Sequence, residues 1–321
     1  MMKINKKALL MLIILIGLMM AIFSILSGGF FKAIIILSQG GYGLLYSLIL
    51  IFASEIVKSL RYYFLAKRNG YKLKLKNSII VQLTGFFGGI ITPANLGGIA
   101  SGASVLASYT NISLGEALGY ASIQSFYDGI IPALISLTIS LYYLPESILA
   151  FLISIAIITI WIAAFNKRVK DSLILLTRKI LRNKYSDNLE KEINLFQSSL
   201  KIIKKDLLLS FSLFLITIVS YLIQIISIFV LFLKFNFLTL FISLMFYYVM
   251  ASFPTPGGEG GVEYGLSITL PMHIVIEWRT VYVISALLSG LILPISIKRM
   301  KNYDITKSIA FQSKDNNKVS S

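Results

Sequence analysis

Two apolar stretches, 78–108 and 237–271, are each broken near the middle by glycine and proline. The first carries Gly85, Gly88, Gly89, Pro93, Gly97, Gly98 and Gly102; the second carries Pro254, Pro256, Gly257, Gly258, Gly260 and Gly261. Proline removes a backbone donor, and glycine weakens a helix by about 1 kcal/mol per residue. On either side of each break the apolar arm is too short to cross a bilayer alone. In lipid, non-helical backbone persists only where protein or a water-filled cavity covers it. Both stretches therefore read as re-entrant helical hairpins, the paired interrupted segments typical of transporters.

The rest of the chain agrees with a membrane setting. About 20 apolar residues span the hydrocarbon core as a helix. Segments 8–26, 42–65, 114–142, 147–165, 207–233 and 280–297 meet that length, giving six full crossings plus the two hairpins in a single all-α membrane domain. Hydrophobic residues make up 56% of the sequence and charged residues only 14%, against about a quarter in soluble domains. With no cysteine and one histidine, His273, the chain cannot build a cysteine-ligated or histidine-rich metal centre. Nor does it carry a P-loop, an HExxH helix or a nucleophile elbow, and no cofactor is expected.

The 30 Lys and Arg residues sort by side. Three precede the first span, five lie in 67–76, eleven in 167–205 and six in 298–318. Under the positive-inside rule these segments face the cytoplasm, with both termini inside, in a plasma-membrane protein. Lys32, Lys234 and Arg279 fall to the opposite side. The first hairpin then enters from inside and the second from outside, an inverted arrangement around a midplane site. The insert 167–206 carries two helical stripes, Val169-Leu173-Leu176-Ile180 and Leu189-Ile193-Phe196-Leu200-Ile203, with a turn at 183–188. It reads as two amphipathic helices on anionic inner-leaflet lipids, and 300–321 as a disordered basic tail. The basic residues have no nucleic-acid motif around them.

Asp128 lies inside an apolar run, where a charge costs about 3 kcal/mol on insertion scales and usually faces a cavity or a partner. It is either a working proton or cation group or one half of a structural pair, and Gln124 lies one turn away on the same face. Glu55 and Lys58, spaced i, i+3, read as a structural pair, and Glu116 as a first-turn acid. Arg61 is a cation for a phosphate or for Asp128. The breaks Thr92-Pro93-Ala94-Asn95-Leu96-Gly97-Gly98 and Pro254-Thr255-Pro256-Gly257-Gly258-Glu259-Gly260-Gly261-Val262-Glu263 each lead into a new half-helix, near Ile99 and near Gly261. Two helix N-termini aimed at the midplane would make an anion site. Glu263 is a proton carrier or a helix cap, and Glu259 binds a cation or accepts a proton.

At these residues the chain resembles the flippase-like membrane domain of lysylphosphatidylglycerol synthases. The match rests on Arg61-Tyr62, on the Thr92–Gly98 run followed by Gln124-Ser125-Phe126-Tyr127-Asp128, and on the proline–glycine–glycine loop ending at Glu263. Gly98-Ile99 and Ser101 stand where that family has an acid and an arginine, and Gln124 stands where it has an arginine. Glu259 replaces an apolar residue. The family's arginine in the last span is expected to be an apolar residue here.

The resemblance implies translocation of a lipid or lipid-linked sugar between leaflets. From the residues alone comes only a midplane polar site between two hairpins, made of Arg61, Thr92, Pro93, Asn95, Gly97, Gly98, Gln124, Asp128, Pro256, Gly257, Gly258, Glu259, Gly260, Gly261 and Glu263. Two other classes fit the same sequence. One is a membrane-embedded transferase that uses a polyprenyl-phosphate sugar. The other is a non-catalytic subunit whose basic loop recruits a partner. The oligomeric state is not written in the sequence.

Overall fold

A computed structural model describes residues 41–180, 183–231 and 236–301. The expected first span, 8–26, Lys32, Lys234 and nearly all of the basic tail lie outside the described residues. What is described is helical: α1 Gly41–Arg68, α2 Leu75–Ile90, α3 Leu96–Thr110, α4 Leu114–Ile139, α5 Ile148–Ala164, α6 Lys167–Ile180, α7 Asn183–Leu200, α8 Ile202–Lys205, α9 Leu207–Phe229, α10 Phe237–Met250, α11 Gly261–Ser267, α12 Met272–Ser289 and α13 Leu293–Lys301. Among the described residues three helical stretches are long and apolar enough to cross a membrane: Gly41–Arg68, Leu207–Phe229 and Met272–Met300. Ile148–Ala164 and Phe237–Met250 are apolar but shorter.

Helices α2 and α3 form an antiparallel hairpin in which glycine lets the backbones touch. A Cβ at Gly85 would lie 3.2 Å from the Gly98 carbonyl oxygen, one at Gly97 2.7 Å from the Gly88 carbonyl, and one at Gly98 2.9 Å from the Gly85 carbonyl. Lipid is as apolar as leucine, so close van der Waals contact between small residues, rather than burial from water, holds such helices together. The glycines are thus packing residues inside helices, and the break is confined to residues 91–95. The new helix starts at Leu96, a turn earlier than expected. Replacing Gly98 by alanine is expected to force the hairpin open and to lower stability by roughly 1–3 kcal/mol, read as a fall in the unfolding midpoint in detergent.

A second hairpin joins α10 to α11. Its register is given by the Ser243 and Thr269 hydroxyls, 2.5 Å apart, and by the approach of Gly265 to the Phe246 carbonyl and of Gly261 to the Met250 carbonyl. Gly257, Gly258 and Gly260 take positive φ at its tip, where a side chain would be strained.

The two hairpins open toward opposite ends of the bundle and meet tip to tip. Pro93 and Pro256 form an isolated antiparallel bridge. Gly257 N–H donates to the Thr92 carbonyl at 3.2 Å, and Asn95 Nδ2 donates to the Ala251 carbonyl at 3.0 Å. At one end of the bundle gather the base of the first hairpin, the basic loop after α1, α6–α8 and α13. There Arg299 donates to the Ser108 carbonyl, and Arg68 pairs with Asp206, the N-cap of α9. The Leu209 N–H and Arg68 hold the Asp206 carboxyl below the usual carboxylate range. At the other end lie the start of α1 against Val230, the α4–α5 turn, and the base of the second hairpin, where Tyr264 bonds the Glu146 carbonyl.

Three local expectations change. Residues 183–188 are helical, not a turn, as part of α7. Of the second stripe, Leu200 and Ile203 are buried in the protein, while Leu189 is exposed: Leu200 packs in the cluster that holds Ala117 and Tyr120, and α7 seats on Gly119 of α4. The last long helix begins at Met272, immediately after Pro271, not near residue 280. Arg279 is therefore inside this helix and fully buried, not at the outer surface.

Candidate functional site

A cavity of about 210 Å³ with polar groups in an otherwise apolar wall sits beside the point where the hairpin tips meet. Its wall draws on α1 (Glu55, Lys58, Tyr62), the first hairpin (Gln82, Gly85, Gly89, Asn95, Gly98), α4 (Gln124, Ser125, Asp128) and the second hairpin (Tyr247, Tyr248, Ala251, Ser252), with Tyr282 from α12. The small residues of α2 and α3 that allow the hairpin to close also leave room for it.

The charges in the wall come in pairs. Arg61, fully buried one turn beyond Lys58 on α1, reaches across to α4 and grips Asp128 with two parallel bonds, Nη1 to Oδ1 at 2.8 Å and Nη2 to Oδ2 at 2.9 Å. This fork geometry is the strongest arrangement an arginine makes with a carboxylate. Nη1 also donates to Thr217 Oγ1 of α9 at 3.0 Å. Glu55 accepts from Lys58 Nζ at 2.8 Å through one oxygen and from Gln82 Nε2 at 2.8 Å through the other. Lys58 also lies 5.3 Å from the centre of the Tyr248 ring. Gln124 is buried, yet neither its amide nitrogen nor its amide oxygen has a hydrogen-bond partner among the described residues.

The second loop carries a separate network. Arg279 Nε donates to Glu263 Oε1 at 2.9 Å, and its Nη2 donates to Glu259 Oε1 at 3.0 Å and to the Gly257 carbonyl at 2.8 Å. Glu263 also accepts from the Gly260 N–H through Oε2 at 2.6 Å, so it caps α11 and holds Arg279 at once. None of these residues lines the cavity. The rings of Tyr247 and Tyr282, which do, lie 6.0 and 5.6 Å from the Arg279 guanidinium.

Of the site residues expected from sequence, Asn95, Gly98, Gln124 and Asp128 line the cavity, and Arg61 stands behind Asp128. Thr92, Pro93, Gly97 and Pro256 build the tip-to-tip joint. Gly257, Gly258, Glu259, Gly260, Gly261 and Glu263 shape and neutralise the second tip around Arg279. At the half-helix ends expected to meet an anion, several backbone donors are already engaged. Gly97 N–H is taken by Thr92 Oγ1 at 2.7 Å and Gly98 N–H by the Asn95 carbonyl at 3.0 Å, while Gly260 N–H is taken by Glu263. Donors already satisfied within the loops are not free to bind an anion. Glu259 meets no incoming anion but a fixed arginine.

Sequence reasoning missed Gln82 and the tyrosines 62, 247, 248 and 282 as wall residues, and treated Glu55 and Lys58 as structure alone. A signal existed for the last two: an acid and a base one turn apart deep inside an apolar span must face a protein interior. Arg279 stands inside the last long helix, which begins at Met272, eight residues before the expected start of that span.

No curated protein and no solved structure matches the chain. The family model described as the lysylphosphatidylglycerol synthase TM region matches residues 8–275, which covers both hairpins, the cavity wall of α1 and α4 and the Glu259–Glu263 loop. The chain belongs to the lysylphosphatidylglycerol synthase transmembrane-region family.

Proposed function

We propose that the protein moves a lipid, or a lipid-linked sugar, between leaflets, with the head group passing through the cavity and the tails remaining in the bilayer. In this reading segment 8–26, α1, α4, α5, α9 and the α12–α13 stretch are six crossings, and the two hairpins re-enter from opposite faces. The end that gathers the basic segments is cytoplasmic, in the plasma membrane. The observation that carries the reading is a cavity with polar groups in its wall, lodged where two interrupted hairpins meet, inside a bundle whose outer faces are apolar. The polar groups of its wall replace water around a head group, and the tip joint gives the site a part that two access states can share. The transferase alternative asks for a free carboxylate base, and both cavity carboxylates, Glu55 and Asp128, are engaged with cations.

Reconstitution tests it. Proteoliposomes carrying fluorescent lipids with different head groups should expose the inner-leaflet label to dithionite faster than protein-free vesicles for at least one head group, and Gly98→Leu should abolish the acceleration. Acceleration of no lipid, or full acceleration by Gly98→Leu, would reject the reading. Sidedness has its own probe, since the chain lacks cysteine. Lys201→Cys and Asn236→Cys, both exposed, should react with an impermeant thiol reagent from opposite faces, Asn236→Cys alone reacting in intact cells.

A further inference from the structure

The cavity has no net charge to offer. Its two carboxylates and its lysine are spoken for: Glu55 by Lys58 and Gln82, and Asp128 by both terminal nitrogens of Arg61. Among the described residues of the wall Lys58 is the only cation. An anionic head group would have to draw Lys58 away from Glu55, and a cationic one would have to displace Lys58 or Arg61. Either exchange strands a buried charge, which is strongly unfavourable.

What the wall does leave unpaired is the Gln124 amide. Its nitrogen and oxygen are both unpartnered, and the residue is 5% exposed. A primary amide supplies two donors and an acceptor side by side. The chemistry that satisfies both ends at once is a pair of neighbouring hydroxyl groups, one accepting and one donating. The Tyr62, Tyr247 and Tyr248 rings in the same wall add broad apolar surfaces of the kind that cover the faces of a sugar ring, in the usual ligand-site pattern of apolar lining with few polar anchors.

We infer that the head group this cavity takes is an uncharged polyol, a glycosyl head, anchored by the Gln124 amide. The inference rests on the translocation reading of the same cavity and names its substrate class.

Three fluorescent lipids with the same acyl chains test it: a glucosyl-diacylglycerol, phosphatidylglycerol and its lysyl ester. Equilibrium binding is measured on the detergent-solubilised protein and leaflet exchange in proteoliposomes. The glucosyl lipid should bind about tenfold more tightly than either charged lipid, the weight of one or two hydrogen bonds. Gln124→Leu should erase that preference while leaving the unfolding midpoint unchanged or higher, because it removes an unpaired buried amide. A charged lipid that binds as tightly as the glucosyl lipid overturns the inference. So does a Gln124→Leu protein that keeps the preference, or one that loses affinity for all three lipids as its midpoint falls. Selective glucosyl binding with no exchange of any lipid upholds the head-group class and rejects translocation; exchange without selectivity does the reverse. Free methyl glucoside competing as well as the glucosyl lipid overturns the lipid source and leaves only a sugar site.

Discussion

Replacing Arg279 of α12, which holds the tip of the second hairpin, by leucine is expected to lower stability by about 3–5 kcal/mol. The guanidinium holds Glu259, Glu263 and the Gly257 carbonyl together, and all three belong to the tip of that hairpin. Removing it leaves two carboxylates buried side by side with no cation and frees the turn that docks on Thr92. Changing Glu259 and Glu263 to glutamine in the Arg279→Leu background should recover much of the loss, since the stranded charges go with it. Thermal unfolding in detergent reads both steps. A single Arg279→Leu protein with the parental midpoint would mean that the tip is held by packing alone.

The second large effect is at Asp128. Asparagine there keeps the shape but breaks the two-bond fork to Arg61 and leaves a fully buried guanidinium with one neutral acceptor and Thr217. The expected cost is about 3–5 kcal/mol. The double variant Asp128→Asn with Arg61→Gln should be more stable than the single one, because the unpaired charge is gone. This outcome separates the two roles open to Asp128. A structural pair gives the loss and its rescue. A proton carrier with no fixed partner would give an Asp128→Asn protein of normal stability that no longer exchanges lipid. The bidentate geometry favours the first, and makes the pair a wall of the cavity rather than a titrating group within it.

How much of this was legible in the sequence follows from the range of each interaction. Proline and glycine act on their own backbone, so the breaks at Pro93 and at Pro254–Gly261 were visible, and so was the helical class of the described apolar runs. Asp128 announced a buried partner because a lone acid in an apolar helix has few other fates. That the partner is Arg61, 67 positions away, was one of two options and needed the packing of α1 on α4 to decide. The docking of Thr92 on Gly257 joins segments 165 residues apart with no periodicity to betray it. Side chains within the breaks, Thr92 and Glu263, take the Gly97 and Gly260 donors that simple dipole reasoning leaves free. Arg279 was misplaced because hydropathy penalises an arginine at a span's edge, whereas two carboxylates from the second hairpin make its burial tolerable.

In a translocator this cavity serves both faces of the membrane. Ser125 lines it, and the chain has no cysteine of its own, so Ser125→Cys is a single reporter inside the site. In proteoliposomes of fixed orientation, an impermeant thiol reagent applied from either face should modify that cysteine, and a bound head-group lipid should slow both reactions. Modification from one face only, under every condition that supports binding, would contradict translocation and is the result expected of a one-sided transferase.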